Sequence, residues 1–294
     1  MSTLHVFDLS FTHFHLAAPL LHQAWFDEAY IDMVLEGIQT GRIFVDRLEN
    51  PSAALLCHPY EFYVAGDSSP ENPLRQFIKD NPAEPDIFHT LYGYCGVGAA
   101  WEKALLDDAG GLLEVIPRRN FKFRLSAPRV DWRSQVPPFA ALKRMDAALA
   151  EQADGEFERI ISREWGDRAL FLERSFGFCL LVDGQIASMV DVSGISSRYT
   201  NLSVETIAPY RRQGYAALVC AACIEHSLER GLMPTWDCDG PNLASVALAF
   251  KLGFEEDRPF SQLSVPGYGK LPLSQGRWNK AGVSEGIVDW VKVQ

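Results

Sequence analysis

Apolar residues alternate with polar ones in some stretches of the chain and return every three or four residues in others, a contrast that separates strands from helices. Residues 176–182 and 185–192 are strand-like and flank Asp183-Gly184, a pair suited to the left-handed turn of a tight antiparallel hairpin. Further strand signals cover 42–46, 53–57 and 61–65 as a small meander, then 112–116, 121–125, 199–206 and 233–238. Helical spacing marks 19–37, 73–80, 97–107, 139–151, 155–165 and 214–230, and a last helix that Asn242 caps and Gly253 ends. Near the amino end, Phe11, His13 and His15 alternate with Thr12, Phe14 and Leu16, which predicts a strand or extended arm. Pro128, Pro137 and Pro138 among charged residues mark a linker, so a first domain over 1–130 and a second over 131–294 are expected.

Composition narrows the class. With 294 residues, 47 % hydrophobic and 22 % charged, the chain can bury one large core or two modest ones, which excludes a disordered or fibrous protein. Its formal net charge of −11 repels nucleic acid and favours cationic small molecules. No apolar run is long enough to cross a bilayer. The cysteines lie mostly in apolar runs and the first residues lack a basic-then-apolar leader, so a reducing cytoplasm is the expected location. No metal is expected: His13 and His15 have no thiolate or carboxylate nearby, and Cys220, Cys223 and His226 lie within one helix and lack a fourth ligand. Gly93, Gly96 and Gly98 have the wrong spacing for a dinucleotide loop. Monomer and homodimer are equally compatible with the sequence.

The stretch that carries chemistry is Leu202 to Ala216. Five alternating residues end in Glu205-Thr206, then Pro209 and Gly214 signal a loop that opens an Ala-rich helix. A helix start leaves backbone N–H groups without partners, and Gly214 lets a phosphate approach them. The helix dipole adds about 0.3–1 kcal/mol, whereas each hydrogen bond to a charged oxygen is worth roughly 1.5–3 kcal/mol, so the loop amides dominate. Arg211 and Arg212 beside them can add charge-assisted contacts.

Arg211-x-x-Gly214-x-Ala216 after a strand resembles the coenzyme A pyrophosphate loop of the GNAT acyltransferase superfamily, and Asn242-x-x-Ser245 followed by Lys251-Leu252-Gly253-Phe254 resembles the end of the same fold. The resemblance implies an α+β fold, a mixed and mostly antiparallel sheet flanked by helices, in the second half. The first half resembles a degenerate copy without the loop, one that buttresses and shapes the acceptor pocket. Residues 41–46, 176–179, 205–206 and 234–238 are similar to the subgroup of the zwittermicin A resistance acetyltransferase, with coverage from about 34 to 256. Residues after Val265, including Trp278 and Trp290, fall outside it.

The resemblance implies acetyl-CoA as co-substrate and a small-molecule amine as acceptor, with direct attack in a ternary complex. Arg211, Arg212, Gln213, Gly214, Tyr215 and Ala216 would hold the pyrophosphate, Thr206 the pantetheine, Val204 N–H the oxyanion, and Asn242 with Ser245 the coenzyme further along. An alkylamine near pKa ~10.4 and a Glu near ~4.3 differ by about six units, roughly 8 kcal/mol, so the base must be tuned or act through water. Glu205 and, second, Asp237 are the candidates for base; for each, a salt bridge or a substrate-ammonium anchor is an equal alternative. Three departures from the pattern stand out. Ala249 replaces the Tyr that commonly protonates the thiolate, Asn201 stands where the subgroup often carries Glu, and Ala208 and Pro209 exchange their usual order. A non-catalytic acetyl-CoA sensor or interaction module is therefore the competing expectation.

Overall fold

Short apolar runs in the first third of the chain become the strands of a meander. The computed structural model describes residues 5–58, 61–80, 94–96, 98–111, 113–157, 160–264 and 290–292. It divides into two units, Met1–Pro117 with Ser261–Gln294, and Arg118–Phe260. Residues 118–130 thus group with the second unit and 261–294 with the first, where the linker signal predicts a cut near 130 and a tail on the second domain. Trp278 and most of that tail, like Gly93, lie outside the described residues.

In the first unit, β1 (Val6–Asp8), β2 (Arg42–Val45), β3 (Ala53–Cys57) and β4 (Phe62–Gly66) pair antiparallel in order. Helices α1 (Ala18–Leu21), α2 (Glu28–Leu35), α3 (Pro73–Asp80) and α4 (Ala99–Ala109) belong to this unit, and β5 (Tyr94–Gly96) runs parallel to β4. All five residues of β3 are buried, and Phe44, Leu55, Val64, Phe77 and Trp101 form the core. Gly66 is required: its φ is +90° and a Cβ would lie 2.0 Å from Ser52 O.

Two expectations fail here for local reasons. Residues Phe11–Leu16 form a 3₁₀ helix instead of an extended arm. Ser10 Oγ bonds His13 Nδ1 at 2.8 Å and His15 Nδ1 bonds Thr12 O at 2.9 Å, so side chains supply the turn's partners. The helix predicted over 19–37 is two, because Asp27 takes a left-handed φ of 54° between α1 and α2.

The second unit starts within β6 (Glu114–Phe123), one strand where the sequence suggests two. Pro117 and the polar run after it look like a turn, but Arg118 and Arg119 are paired across the ladder with Asp237, Asp239 and Glu256. A short helix, α5 (Trp132–Gln135), follows. The helix predicted over 139–151 is strand β7 (Ala140–Arg144) and then α6 (Ala147–Glu156); Asp146 caps α6 by accepting from Leu149 N at 2.9 Å. Helices α7 (Ile160–Trp165) and α8 (Arg168–Arg174) lead to the hairpin of β8 (Gly177–Val182) and β9 (Gln185–Ile195). Its turn has φ values of 50° at Asp183 and 79° at Gly184, the primed turn the sequence predicts.

Next come β10 (Tyr199–Thr206), α9 (Tyr215–Glu229), β11 (Met233–Asp239), α10 (Leu243–Leu252) and β12 (Phe254–Glu256). The strand order in this unit is β6-β11-β10-β9-β8-β7, with β12 also on β6. Pairing is antiparallel except between β10 and β11. The chain then returns to the first unit through β13 (Phe260–Ser264) on β5 and β14 (Trp290–Lys292) on β1. Glu225 on α9 does not simply face water: it accepts from Trp132 Nε1 and from Arg133, both at 2.8 Å, and so ties α5 to α9. Those bonds hold its carboxyl below the usual glutamate range.

Candidate functional site

Strand β10 pairs with β9 from Thr200 to Thr206, but with β11 only at Tyr199, Thr200 and Asn201. Opposite those residues stand Met233, Pro234 and Thr235; from Thr235 onward β11 is paired with β6 on its other side. The two strands therefore part after Asn201 and Thr235, and a slot opens towards the loop that follows Thr206.

Backbone direction in the slot follows from one bond. Ile207 N donates to Ala187 O at 3.1 Å, so alternation turns the main-chain groups of Glu205 towards β9 and those of Val204 and Thr206 towards the edge that β11 has left. Ser188 reinforces this, its Oγ donating to Glu205 O at 3.0 Å and bonding Thr206 Oγ1 at 2.8 Å. Serine at 188 belongs to the hairpin strand, and nothing in its local sequence announces the role.

At the mouth of the slot, Arg212 and Gly214 take φ values of 65° and 85°, and α9 begins. Tyr210 N, Arg211 N and Ala217 N have backbone acceptors, whereas among the described residues no protein acceptor meets the N–H groups of Arg212, Gln213, Gly214, Tyr215 and Ala216. Successive amides curled by left-handed residues form a concave anion site. A Cβ added to Gly214 would have no atom within 4 Å, so the space over the loop is open. Phosphate fits this donor set. The arginines are less alike than the motif implies: Arg211 Nε donates to Thr206 O at 3.0 Å, folding the loop against the strand end, and Gln213 Nε2 donates to Pro209 O at 3.1 Å.

The remaining candidates sit in different surroundings. Asn242 Oδ1 accepts from Ser245 N at 3.1 Å, capping α10, and Ser245 Oγ accepts from Trp236 Nε1 at 3.0 Å. Asn242 thus fixes the start of α10, and Ser245 pins it to β11. Asp237 is paired with Arg118 through one carboxylate oxygen, and its other oxygen accepts from Asn201 Nδ2 at 3.1 Å. Glu205 is exposed on the same face of β10 as Asn201 and Ser203. Ala249 is fully buried in α10. Cys220 and Cys223 are fully buried and their thiols are pushed up by burial, and His226 packs against Phe176 with ring centroids 4.6 Å apart. Among the described residues no group of three or more His, Cys, Asp and Glu side chains could hold a metal. No described helix is long and apolar enough to cross a membrane.

A strand pair that parts beside an amide-rich helix start has the shape and donors to take a long anionic ligand, and the sequence comparison supplies the family: the GNAT acetyltransferase family model matches residues 18–263. The chain belongs to the GNAT acetyltransferase family. It is 30 % identical over 235 residues to the uncharacterized N-acetyltransferase YdfB of Bacillus subtilis (strain 168), covering 78 % of this chain and 89 % of that one. Among solved structures, a GCN5-related N-acetyltransferase-like protein from Streptococcus suis 89/1591 is similar with a TM-score of 0.70 and 23 % identity, over 86 % of this chain and 98 % of that one. A tandem GNAT protein from the clavulanic acid biosynthesis pathway is similar with a TM-score of 0.58 and 14 % identity, over 88 % and 98 %. At these identities the two structures speak for the fold alone. Acetyl-CoA is the family's co-substrate, so this GNAT protein is an acetyltransferase whose donor chemistry is that of its family.

Proposed function

We propose that the protein moves an acetyl group from acetyl-CoA to an amine of a small molecule, by direct attack of the nitrogen within a ternary complex. The observation that carries this reading is the parting of β10 and β11 beyond Asn201 and Thr235, next to five loop N–H groups without protein acceptors. The amides of Arg212, Gln213, Gly214, Tyr215 and Ala216 would hold the pyrophosphate, with Arg211 bracing the loop. Thr206 main chain would hold the pantetheine and Val204 N–H would face the thioester oxygen, strengthening its contact as charge develops. Asn242 and Ser245 would support the coenzyme by fixing the start of α10.

Of the two carboxylates, Glu205, exposed on β10 one residue before Thr206, suits proton removal, and Asp237, held by Arg118 and Asn201, suits positioning. Glu205 would take the proton through water as attack on the thioester carbonyl makes the nitrogen more acidic, which closes the pKa gap that the free amine presents. The similarity of residues 41–46, 176–179 and 234–238 to the zwittermicin A resistance subgroup supports an aminated antibiotic or metabolite as acceptor. The first unit carries no Arg-x-x-Gly-x-Ala loop, which supports reading it as a degenerate copy, and a cytoplasmic setting supplies the donor.

One observation favours a second reading, a non-catalytic acetyl-CoA sensor: Ala249 is buried where many relatives place a proton-donating Tyr. The test is incubation of the pure protein with acetyl-CoA and a panel of aminopolyols, aminoglycosides and polyamines, following thiol release and product mass. Thiol release coupled to an acetylated amine is expected. Tight acetyl-CoA binding with no product on any amine would replace the enzyme by the sensor.

A further inference from the structure

At the closed end of the slot the strands are joined by side chains as well as by backbone. Asn201, 6 % exposed, donates through Nδ2 to Thr235 Oγ1 at 3.3 Å and to Asp237 Oδ2 at 3.1 Å. Thr235 Oγ1 in turn donates to Thr200 O at 3.2 Å, so the stitch runs back into β10. Thr235 is the last residue of β11 that faces β10 in the ladder, and Asp237 lies two positions beyond it. The contact from Asn201 therefore holds the strands together past the point where the backbone has let go, over about 6.6 Å of β11. Arg118 pulls the other way. It pairs with Asp237 and Asp239 from β6, on the far side of β11. Asp237 is suspended between the two, and the slot's inner width depends on their balance.

We propose that Asn201, with Thr235 and Asp237, is a specificity-determining clasp that fixes where the slot ends and so limits the length of the acyl chain the protein accepts. The inference rests on the slot being the acyl-coenzyme A site. A pantetheine arm that enters from the amide loop beyond Thr206 brings its acyl end towards Asn201, and the clasp closes the space ahead of it. Loss of the Asn201 amide leaves the Asp237 carboxylate to Arg118 and empties the space between β10 and β11, which lengthens the slot. The residue acts by position and makes no bond to the reacting atoms.

The experiment is a set of dissociation constants for coenzyme A, acetyl-CoA, propionyl-CoA and butyryl-CoA, measured on the full chain and on Asn201→Ala, Thr235→Val and Arg118→Gln. The wild-type protein should prefer acetyl-CoA to butyryl-CoA. Asn201→Ala and Thr235→Val should each narrow that preference by roughly tenfold, the order of discrimination carried by one methylene in a closely fitting pocket. Coenzyme A itself should bind all variants alike, and Arg118→Gln, which removes the outward pull, should not relax the preference. An unchanged acyl ratio in the two clasp variants, with coenzyme A bound normally, overturns the clasp alone. Equal relaxation in Arg118→Gln overturns it too, because general loosening would then suffice. Failure of the wild-type protein to bind any of the four overturns the coenzyme reading and the clasp together.

Discussion

Gly214 is the residue on which the proposed coenzyme grip turns. Its φ of +85° strains any L side chain, and the space a Cβ would enter is the space a phosphate needs. Gly214→Asp and Gly214→Asn share that strain and nearly the same shape, so their difference isolates charge. A like charge at about 4 Å costs ~1 kcal/mol in water and ~4 kcal/mol near a protein surface, which predicts a further loss of acetyl-CoA affinity in Gly214→Asp of between roughly fivefold and a thousandfold. Calorimetric titration of the two variants measures it. Equal affinities would move the pyrophosphate away from this loop.

A second residue-scale prediction concerns pH. His58 is buried and its Nε2 is bonded to Gln39 Oε1; burial lowers its pKa from 6.5 to about 3. The unfolded chain binds a proton below about pH 6.5 that the folded chain refuses until about pH 3, so folding stability contributed here is complete above 6.5 and falls as pH drops through that window. Between pH 6.5 and pH 5 the loss should be about 2 kcal/mol. Urea denaturation at pH 7 and pH 5 should show a drop in wild type that shrinks by about this amount in His58→Asn. A drop of equal size in both proteins would mean that other groups carry the acid sensitivity.

At the scale of elements, what the sequence disclosed followed the range of the interactions. Hairpin β8–β9 and the start and stop of α10 were legible because Asp183-Gly184, Asn242 and Gly253 act on their own neighbours. Strand β10 and helix α9 were legible for the same reason. Strand β6 was not: Arg118 finds its aspartate partner 119 residues away, and only that pairing makes a polar run after Pro117 a strand. The 139–151 stretch misled because Leu142, Met145 and Leu149 fit a helix, while the open edge of β8 claimed the first half as β7. At the candidate site, the left-handed turn at Gly214 was readable, but Arg118, Asn201 and Ser188 became candidates only through partners on other strands. The same dependence predicts a cost. Buried Asp154, on α6, accepts from Ile161 N at 2.9 Å and Ser162 N at 3.0 Å and so caps α7. Asp154→Ala should lose about 1–3 kcal/mol, seen as a lowered thermal midpoint, and Asp154→Asn, which keeps an acceptor oxygen, should lose less. Equal losses would show that charge, through Arg168 at 3.4 Å, matters more than the cap.

For the whole molecule the governing quantity is a formal net charge of −11. A negative protein attracts the amines proposed as its acceptors before contact, and the attraction grows with the number of charges on the amine. Salt removes it, because the screening length shrinks from about 30 Å at 0.01 M to about 8 Å at 0.15 M. Raising ionic strength across that range at saturating acetyl-CoA should therefore raise the KM of a triamine several-fold while leaving that of a monoamine close to constant. Local contacts such as those of Glu205 contribute to both substrates, so the ratio of the two salt responses reads the field of the molecule alone. Equal responses would mean that the acidity serves no part in capturing the acceptor, and any discrimination among amines would then have to come from side chains inside the acceptor site.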